Sequence, residues 1–508
     1  MIFGFLRQNL KTQAVAVALI MAWLDGEVEP DGEEDRLQAR ARLVRFRGEL
    51  YGCFTRRGDA LSELTDAMLC ADGPVRSPAE LSVEPEFRRG HGSVYDALAG
   101  GQIDTDRLRR LQVAAMPPAA AGEPLMFGID VTPLARPDAV FADDMVMVQV
   151  RGAGGDRYLP GWPLSVLTGL HWGSSSWVDA IEARRLRPGE DHAAATVGQV
   201  TDLLADLAAT GKRRPGDPPP LVILDAGYPA TGISHVLAGQ DVQVLVRLRS
   251  DRVFYGDPAE RAAGRRGAPR RHGQRFALDE PGTHHAPDIE LAGESPRYGK
   301  VTVRAWKGLH QALTRTGLWK EHPADEPLPA VKGTVIQVAV EHLPGGRKPA
   351  RDLWLWHYGP QEADADLADL LWKAYLRRFD QEHFHRFIKT CLGLDAAHLG
   401  SAEATDRWAA LVLAAYTQLR LASALVDDLR RPWHKKPEPG QVLSPYRVRL
   451  GFRRLRAHLG TPARTAKFTR PGPGRPRGSR NQPKARSVIY RKSDTKRNTD
   501  TSAAKQDP

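Results

Sequence analysis

Between Leu43 and Gln112 the apolar residues recur at helical spacing. Leu43, Phe46, Leu50, Phe54, Leu61, Leu64 and Leu69 repeat at helical spacing, with interruptions at Gly58 and Gly73. That pattern predicts a group of short helices, one of them capped by Asp104 or Thr105. The period then changes. LMFGIDVTPL and PPLVILDAGYP are short apolar runs bounded by Pro and Gly, and each reads as a buried strand. VMVQVRG, RYLPGWPLSVLTGLHW and VQVLVRLRSDRVFY read as further strands, and DHAAATVGQVTDLLADLAATG as a helix between them. VTVRAW, TVIQVAVEHL and RDLWLWHYGP cluster β-formers after residue 250. AYLRRFDQEHFHRFIK returns to helix. The long apolar run from Arg407 to Val426 is interrupted by Gln418 and Arg420, which makes it a buried helix and not a membrane span. Strands alternating with helices predict an α/β fold.

Two of the buried strands deliver a carboxylate at or near their end, Asp130 in the first and Asp225 in the second. Open α/β sheets present reactive groups in this way, although an aspartate that caps a turn or a helix is common there too. In the helix after residue 374, Tyr375, Arg378, Glu382 and Lys389 are separated by steps of three, four and seven. At about 100° per residue these four fall within roughly 60° of one another. A hydroxyl, a guanidinium, a carboxylate and an ammonium would then share one helix face. A solvated helix with ion pairs to Asp380 and Glu382 gives a similar pattern.

The spacing Y-x2-R-x3-E-x6-K matches the signature of the IS4-like DDE transposases of bacterial insertion elements at all four positions, and Asp225-Ala-Gly-Tyr resembles the second-acid motif of that family. The resemblance spans roughly Leu43 to Gly460. It implies an RNase H-like fold, a mixed sheet with flanking helices, with Asp130, Asp225 and Glu382 as catalytic metal ligands. Two divalent ions, Mg²⁺ or Mn²⁺, would lie about 3.5–4 Å apart among such hard oxygen donors. It further implies that Tyr375, Arg378 and Lys389 contact DNA phosphates, and that Gly227 permits a close backbone approach or an unusual φ. The partners implied are double-stranded DNA, as inverted-repeat ends and target, and a homodimer on that DNA. The implied chemistry is cleavage at transposon ends and strand transfer into a target, of the cut-and-paste type. A catalytically silent DNA-binding descendant and an RNase H-like nuclease without strand transfer are the alternatives.

The intervals between the acids shape the domain plan. Asp130 and Asp225 are 95 residues apart, and 157 separate Asp225 from Glu382. The second interval exceeds what one strand and one helix need, and a structureless loop of that length is rare. It predicts an inserted β-rich subdomain over 251–350, as the resembled family carries. The other expected segments are an atypical extension over 1–42, helices that help bind DNA over 43–120, core segments over 121–250 and 351–460, and a disordered basic tail over 461–508. Trp306 in the insert is a candidate for stacking on a flipped base, or else a core tryptophan. Trp319 is a weaker one.

Charge narrows the partners. The 508-residue chain carries a net +11, but residues 462–508 hold 13 Lys and Arg against 3 Asp, so +10 lies in the tail. The remainder is close to neutral, and any basic face on it must be balanced by acidic surface. Within the tail, Arg475-Pro476-Arg477 between Gly474 and Gly478 resembles an AT-hook that inserts arginines into a minor groove. A tail that binds phosphates without sequence preference is the simpler reading. Arg45, Arg47, Arg56, Arg57, Arg88, Arg89, Arg107, Arg109 and Arg110 interleave with apolar positions, as a DNA-binding surface or a solvated bundle would have them. Cys53, Cys70 and Cys391 are far apart and form no CxxC, which argues for a reducing compartment; the resemblance implies the bacterial cytoplasm, in association with the nucleoid. The run AVAVALIMAWL from Ala14 to Leu24 is short for a membrane span and is followed by Asp25-Gly-Glu27 where a cleavage site would be. GEVEPDGEED after it reads as acidic and turn-like; the resemblance implies a beginning near VRFRGELYGCFTRRGDAL, so the true start codon is expected further downstream, with a small accessory helix as the alternative. His383 and His385 flank Glu382, and His284 and His285 adjoin, but none has a second pair at zinc spacing. No P-loop, dinucleotide-binding glycine pattern or nucleophile elbow is present.

Overall fold

The computed structural model describes residues 30–467 except 121, 140–141, 143, 153–154, 174, 260–269, 317–318, 321 and 436–441, together with 478 and 490–491. The apolar run at Ala14–Leu24 and the Arg475-Pro476-Arg477 motif lie outside the described residues.

The first helix, α1 (Pro30–Cys53), begins within the stretch expected to be turn-like. Pro30 suits the first turn of a helix, and Glu33, Glu34 and Asp35 carry negative charge close to the positive end of its dipole. β1 (Phe54–Arg56), α2 (Gly58–Cys70), α3 (Pro78–Leu81), α4 (Gly92–Gly100), β2 (Gln102–Ile103) and α5 (Thr105–Ala115) follow. Asp104, and not Thr105, caps α5 by accepting from Arg107 N at 3.0 Å.

The central sheet is built from β3 (Met126–Ala135), β4 (Val146–Gly152), β5 (Gly155–Leu170), β6 (Asp179–Arg185), β7 (Leu221–Leu224) and β8 (Gln243–Leu248). α6 (His192–Ala209) connects β6 to β7, and α7 (Ala230–Val236) connects β7 to β8. The spatial order is β6-β5-β3-β7-β8, with β3, β7 and β8 mutually parallel and β5 antiparallel to both β3 and β6. This mixed sheet is the one an RNase H-like nuclease fold requires. Strand side chains alternate between faces. Phe127, Ile129, Val222 and Leu224 pack with Leu203, Leu207 and Ile233 of α6 and α7. Met126, Val166, Leu221 and Ile223 join the core on the opposite face.

After β8 come β9 (Val253–Tyr255), β10 (Arg275–Ala277), β11 (Ile289–Ser295), β12 (Gly299–Gln311), β13 (Gly333–Val340) and β14 (Leu353–Tyr358). VQVLVRLRSDRVFY is thus two strands, broken at Ser250–Asp251. β14 runs antiparallel along β8, with Trp356 opposite Val246, so the sheet continues through β14, β13 and β12. The β-rich segment extends the central sheet edgewise.

The chain then returns through α8 (Ala365–Leu376), α9 (Phe379–Thr390), α10 (Ala402–Leu421) and α11 (Pro445–Leu459). Trp408, Leu411 and Phe452 of the last two share one core with Leu43, Phe46 and Leu61 of α1 and α2. The N-terminal helices therefore pack directly on the second face of the sheet's helical layer. β15 (Tyr490–Arg491) pairs with β5 at Tyr158 and Arg157. Among the described residues no helix is long and apolar enough to cross a membrane.

Candidate active site

Strand register creates the site. Ile129 of β3 is the parallel partner of Leu224, the last residue of β7. The next residue on each strand is an aspartate, so Asp130 and Asp225 stand side by side where β7 ends. Asp225 opens a tight turn in which its carbonyl accepts from Tyr228 N at 3.2 Å. Asp130 Oδ1 accepts from Val131 N at 3.0 Å.

The third acid comes from a pair of helices, not from the single helix the spacing predicts. α8 ends at Leu376 and α9 begins at Phe379. Between them Arg377 N, Arg378 N, Asp380 N and Gln381 N donate to carbonyls three residues earlier, a tightened turn in place of the α-helical pattern. Arg377 and Arg378 nevertheless keep right-handed helical φ and ψ. Tyr375, Arg378 and Glu382 still converge.

They converge on the two aspartates. Arg378 Nη2 lies 3.0 Å from Asp130 Oδ2 and 3.3 Å from Asp225 Oδ2, and Nη1 lies 3.8 Å from Glu382 Oε1. Tyr375 OH donates to Asp225 Oδ1 at 3.5 Å. Arg378 is buried, while the Glu382 side chain is 55 % exposed. Asp380 pairs with Arg377. Lys389 reaches the end of β3, where Nζ donates to Pro133 O at 3.1 Å.

Burial sets the electrostatics. It pushes the Asp130 carboxyl above its ordinary range; the Arg378 cation opposes this, and the charges of Asp225 and Glu382 add to it. Burial alone would lower the Arg378 pKa, but Asp130 and Asp225 hold it up. Burial pushes the Tyr375 hydroxyl up to about 12, with Asp225 adding to the shift, and draws the Lys389 ammonium down. Desolvation of the half-buried His385 on α9 pushes its imidazole down to about 3, whereas His383 is exposed.

The acids open into a cleft of about 1630 Å³ between the β4–β5 hairpin and the segment leading into β14. Arg187, Arg247, Arg249 and Arg351 line it. Arg247 and Arg249 are exposed on one face of β8 and its extension, and Arg247 Nη1 is 3.9 Å from Asp225 Oδ1. Phe379 also lines the cleft one turn before Glu382 and is 53 % exposed. None of these five residues was singled out from the sequence. Arg247 was legible in principle, since it alternates out of a buried run adjoining the strand that bears Asp225.

Three expectations are corrected. Trp306 is 2 % exposed, donates through Nε1 to His285 O at 2.8 Å, and packs against Phe276, His284 and Trp354. It lies on the opposite face of β12 from Val303 and Ala305, where Phe276, Trp354 and the His284–His285 segment cover it. Trp319 packs on His235. Gly227 has no left-handed φ, and a Cβ there would meet nothing within 4 Å. Many of the arginines expected on a basic face are tied down. Arg47 pairs with Asp66, Arg88 and Arg89 with Glu63, and Arg109 and Arg110 with Asp206, whereas Arg45 and Arg56 are exposed.

Among the described residues no three His, Cys, Asp or Glu side chains are gathered closely enough to hold one ion. The donor set still fits a hard divalent cation: three carboxylates, without thiolate or imidazole, already arranged around one positive group, Arg378. A family model described as DDE superfamily endonuclease matches residues 49–312. The match includes Asp130 and Asp225 and ends before α8 and α9. No curated protein matches the chain.

Proposed function

We propose that the chain, which belongs to the DDE superfamily endonuclease family, is an IS4-like transposase that cuts transposon ends and joins them to target DNA. Membership supports metal-dependent cleavage of DNA. The observation that most supports the finer reading is the meeting of Asp130, Asp225 and Glu382 on one guanidinium, with Tyr375 alongside.

In this reading Asp130, Asp225 and Glu382 hold two Mg²⁺ or Mn²⁺ ions. Bound there, the ions supply activation of water or a 3′-hydroxyl and stabilise the departing 3′-oxygen. Arg378 neutralises the acids in the metal-free chain and turns to a phosphate oxygen once they have another counter-charge. The planar guanidinium suits both partners. Tyr375, whose raised pKa keeps its proton, donates to a phosphate oxygen. Lys389 adds a point charge at the end of β3. Arg187, Arg247, Arg249 and Arg351 follow the backbone along the cleft, and Phe379 offers an exposed ring to a base beside the scissile bond. The N-terminal helices contribute to end binding, the basic tail with Arg475 and Arg477 adds sequence-independent affinity, and two chains pair the ends.

A joining assay tests the finer reading. Pre-cut duplexes carrying the flanking terminal sequence are incubated with supercoiled plasmid and Mn²⁺. Covalent end-to-plasmid products support a transposase. Cleavage of uncut ends with no joined product points to the nuclease without strand transfer.

A further inference from the structure

Glu382 is more than half exposed on its helix, yet it must keep a fixed distance from Asp130. Its neighbour Gln381 packs against β3, which bears Asp130, and against β5 beside it. Gln381 is 0 % exposed, and its Nε2 donates to Thr168 Oγ1 at 2.8 Å. Thr168 on β5 is the register partner of Gly128 on β3 and donates to Gly128 O at 3.4 Å. A Cβ on Gly128 would sit 2.5 Å from Gln381 Oε1, 2.6 Å from Cδ and 2.9 Å from Nε2. Gly128 has no left-handed φ, so the glycine is there for space.

The placement is specific to the site. Gly128 precedes Asp130 by two residues and so shares its face of β3. Gln381 precedes Glu382 by one. The buried apolar residues of α9 are Phe384, Phe387 and Ile388. A buried amide among them is costly, the more so because Oε1 has no hydrogen-bond partner. An aliphatic residue would fill the space without that cost but would not fix the helix along the strand. We infer that Gln381, seated on Gly128 and held by Thr168, is a positioning residue that sets the depth and axial placement of Glu382 against Asp130. The inference rests on the reading of both acids as metal ligands.

The test uses the full chain and Mn²⁺ alone as the probe. Mn²⁺ affinity is measured by calorimetry, melting temperature is followed in parallel, and duplex binding is measured in EDTA. Gly128→Ala forces the amide off its seat. It should weaken Mn²⁺ binding by about tenfold, the scale set by residues that orient metal ligands, without changing duplex binding. Gln381→Ala should weaken it similarly. The double variant Gly128→Ala/Gln381→Ala makes room for the new methyl and should bind Mn²⁺ better than Gly128→Ala alone. Thr168→Val keeps the shape and removes the acceptor, so it reports even where Gly128→Ala does not fold, and it too should weaken binding. Wild-type Mn²⁺ affinity in folded Gly128→Ala or in Thr168→Val overturns the inference, as does a double variant no better than the single one. Glu382→Gln is the control: if it binds Mn²⁺ as wild type does, the metal-site reading itself fails, and this inference with it.

Discussion

Ile129 and Leu224 are register partners on adjacent parallel strands, and that one pairing puts Asp130 beside Asp225. A slip of one residue would turn Asp130 toward α6 and leave Asp225 without its neighbour. The flanking residues hold the register. Phe127, Ile129, Val222 and Leu224 are fully buried against one helical layer, and Met126, Leu221 and Ile223 against the other. Packing on both faces thus specifies the placement of two charges. Arg378 completes the group from a third element.

Asp130→Asn should stabilise the metal-free protein at neutral pH while abolishing cleavage. Burial raises the Asp130 pKa in the folded chain. A raised folded-state value means that the carboxyl favours folding below its unfolded pKa, near about 4, and that this contribution is lost as pH rises through the folded value. The melting-temperature gain of the variant should therefore be largest at neutral pH and shrink as the pH falls toward 4. A gain that does not vary with pH would contradict the assignment of burial as the cause.

Arg378→Gln removes the cation from three facing carboxylates. Breaking a buried pair of this kind costs on the order of 3 kcal/mol, so the metal-free variant should melt well below wild type. Mn²⁺ should then raise its melting temperature by more than it raises that of wild type, because the ion no longer displaces a resident charge. Cleavage should still be impaired, through loss of the phosphate contact. An equal Mn²⁺ gain in the two proteins would show that Arg378 does not compete with the ion.

Trp306 and Phe379 should separate stability from function. Trp306→Ala empties a packed site in the insert and should cost about 3–5 kcal/mol. Phe379→Ala alters an exposed ring, so its effect on stability should stay within about 0.5 kcal/mol, but it should slow cleavage of end duplexes. Denaturant unfolding and single-turnover cleavage distinguish the two effects. A stable Trp306→Ala that loses only cleavage would restore Trp306 as the base-stacking residue.

Arg249→Ala should weaken duplex binding with little dependence on sequence. Loss of one phosphate contact lowers the slope of log affinity against log salt by about 1. Titrations at several salt concentrations measure this, and an unchanged slope would place Arg249 outside the DNA path.

The sequence made the acid-bearing strands legible because each is a short apolar run ending in one carboxylate, and burial on both faces leaves little else such a run can be. The 157-residue interval pointed to further β-structure between Asp225 and Glu382. Its union with the main sheet was not legible, since the pairing of Trp356 with Val246 joins strands more than a hundred residues apart. The break at Arg377–Arg378 was hidden for a different reason. The residues there are ordinary helix formers, and only the three-residue hydrogen bonds mark the turn. Arginine patterns misled most. Arg47 looks like surface charge until Asp66 and Gln418 close around it, and Gln418 is 371 residues away. Local spacing carries no information about a partner at that distance.

The most direct measurement is cleavage of a labelled duplex carrying the DNA sequence that flanks the gene, with Mg²⁺ or Mn²⁺, comparing wild type with Glu382→Gln. The account predicts that wild type nicks at the element end, and that the variant binds the duplex equally well but does not cut it. Cleavage by the variant at the wild-type rate, or binding by both proteins with cleavage by neither at any metal or salt concentration, would contradict it.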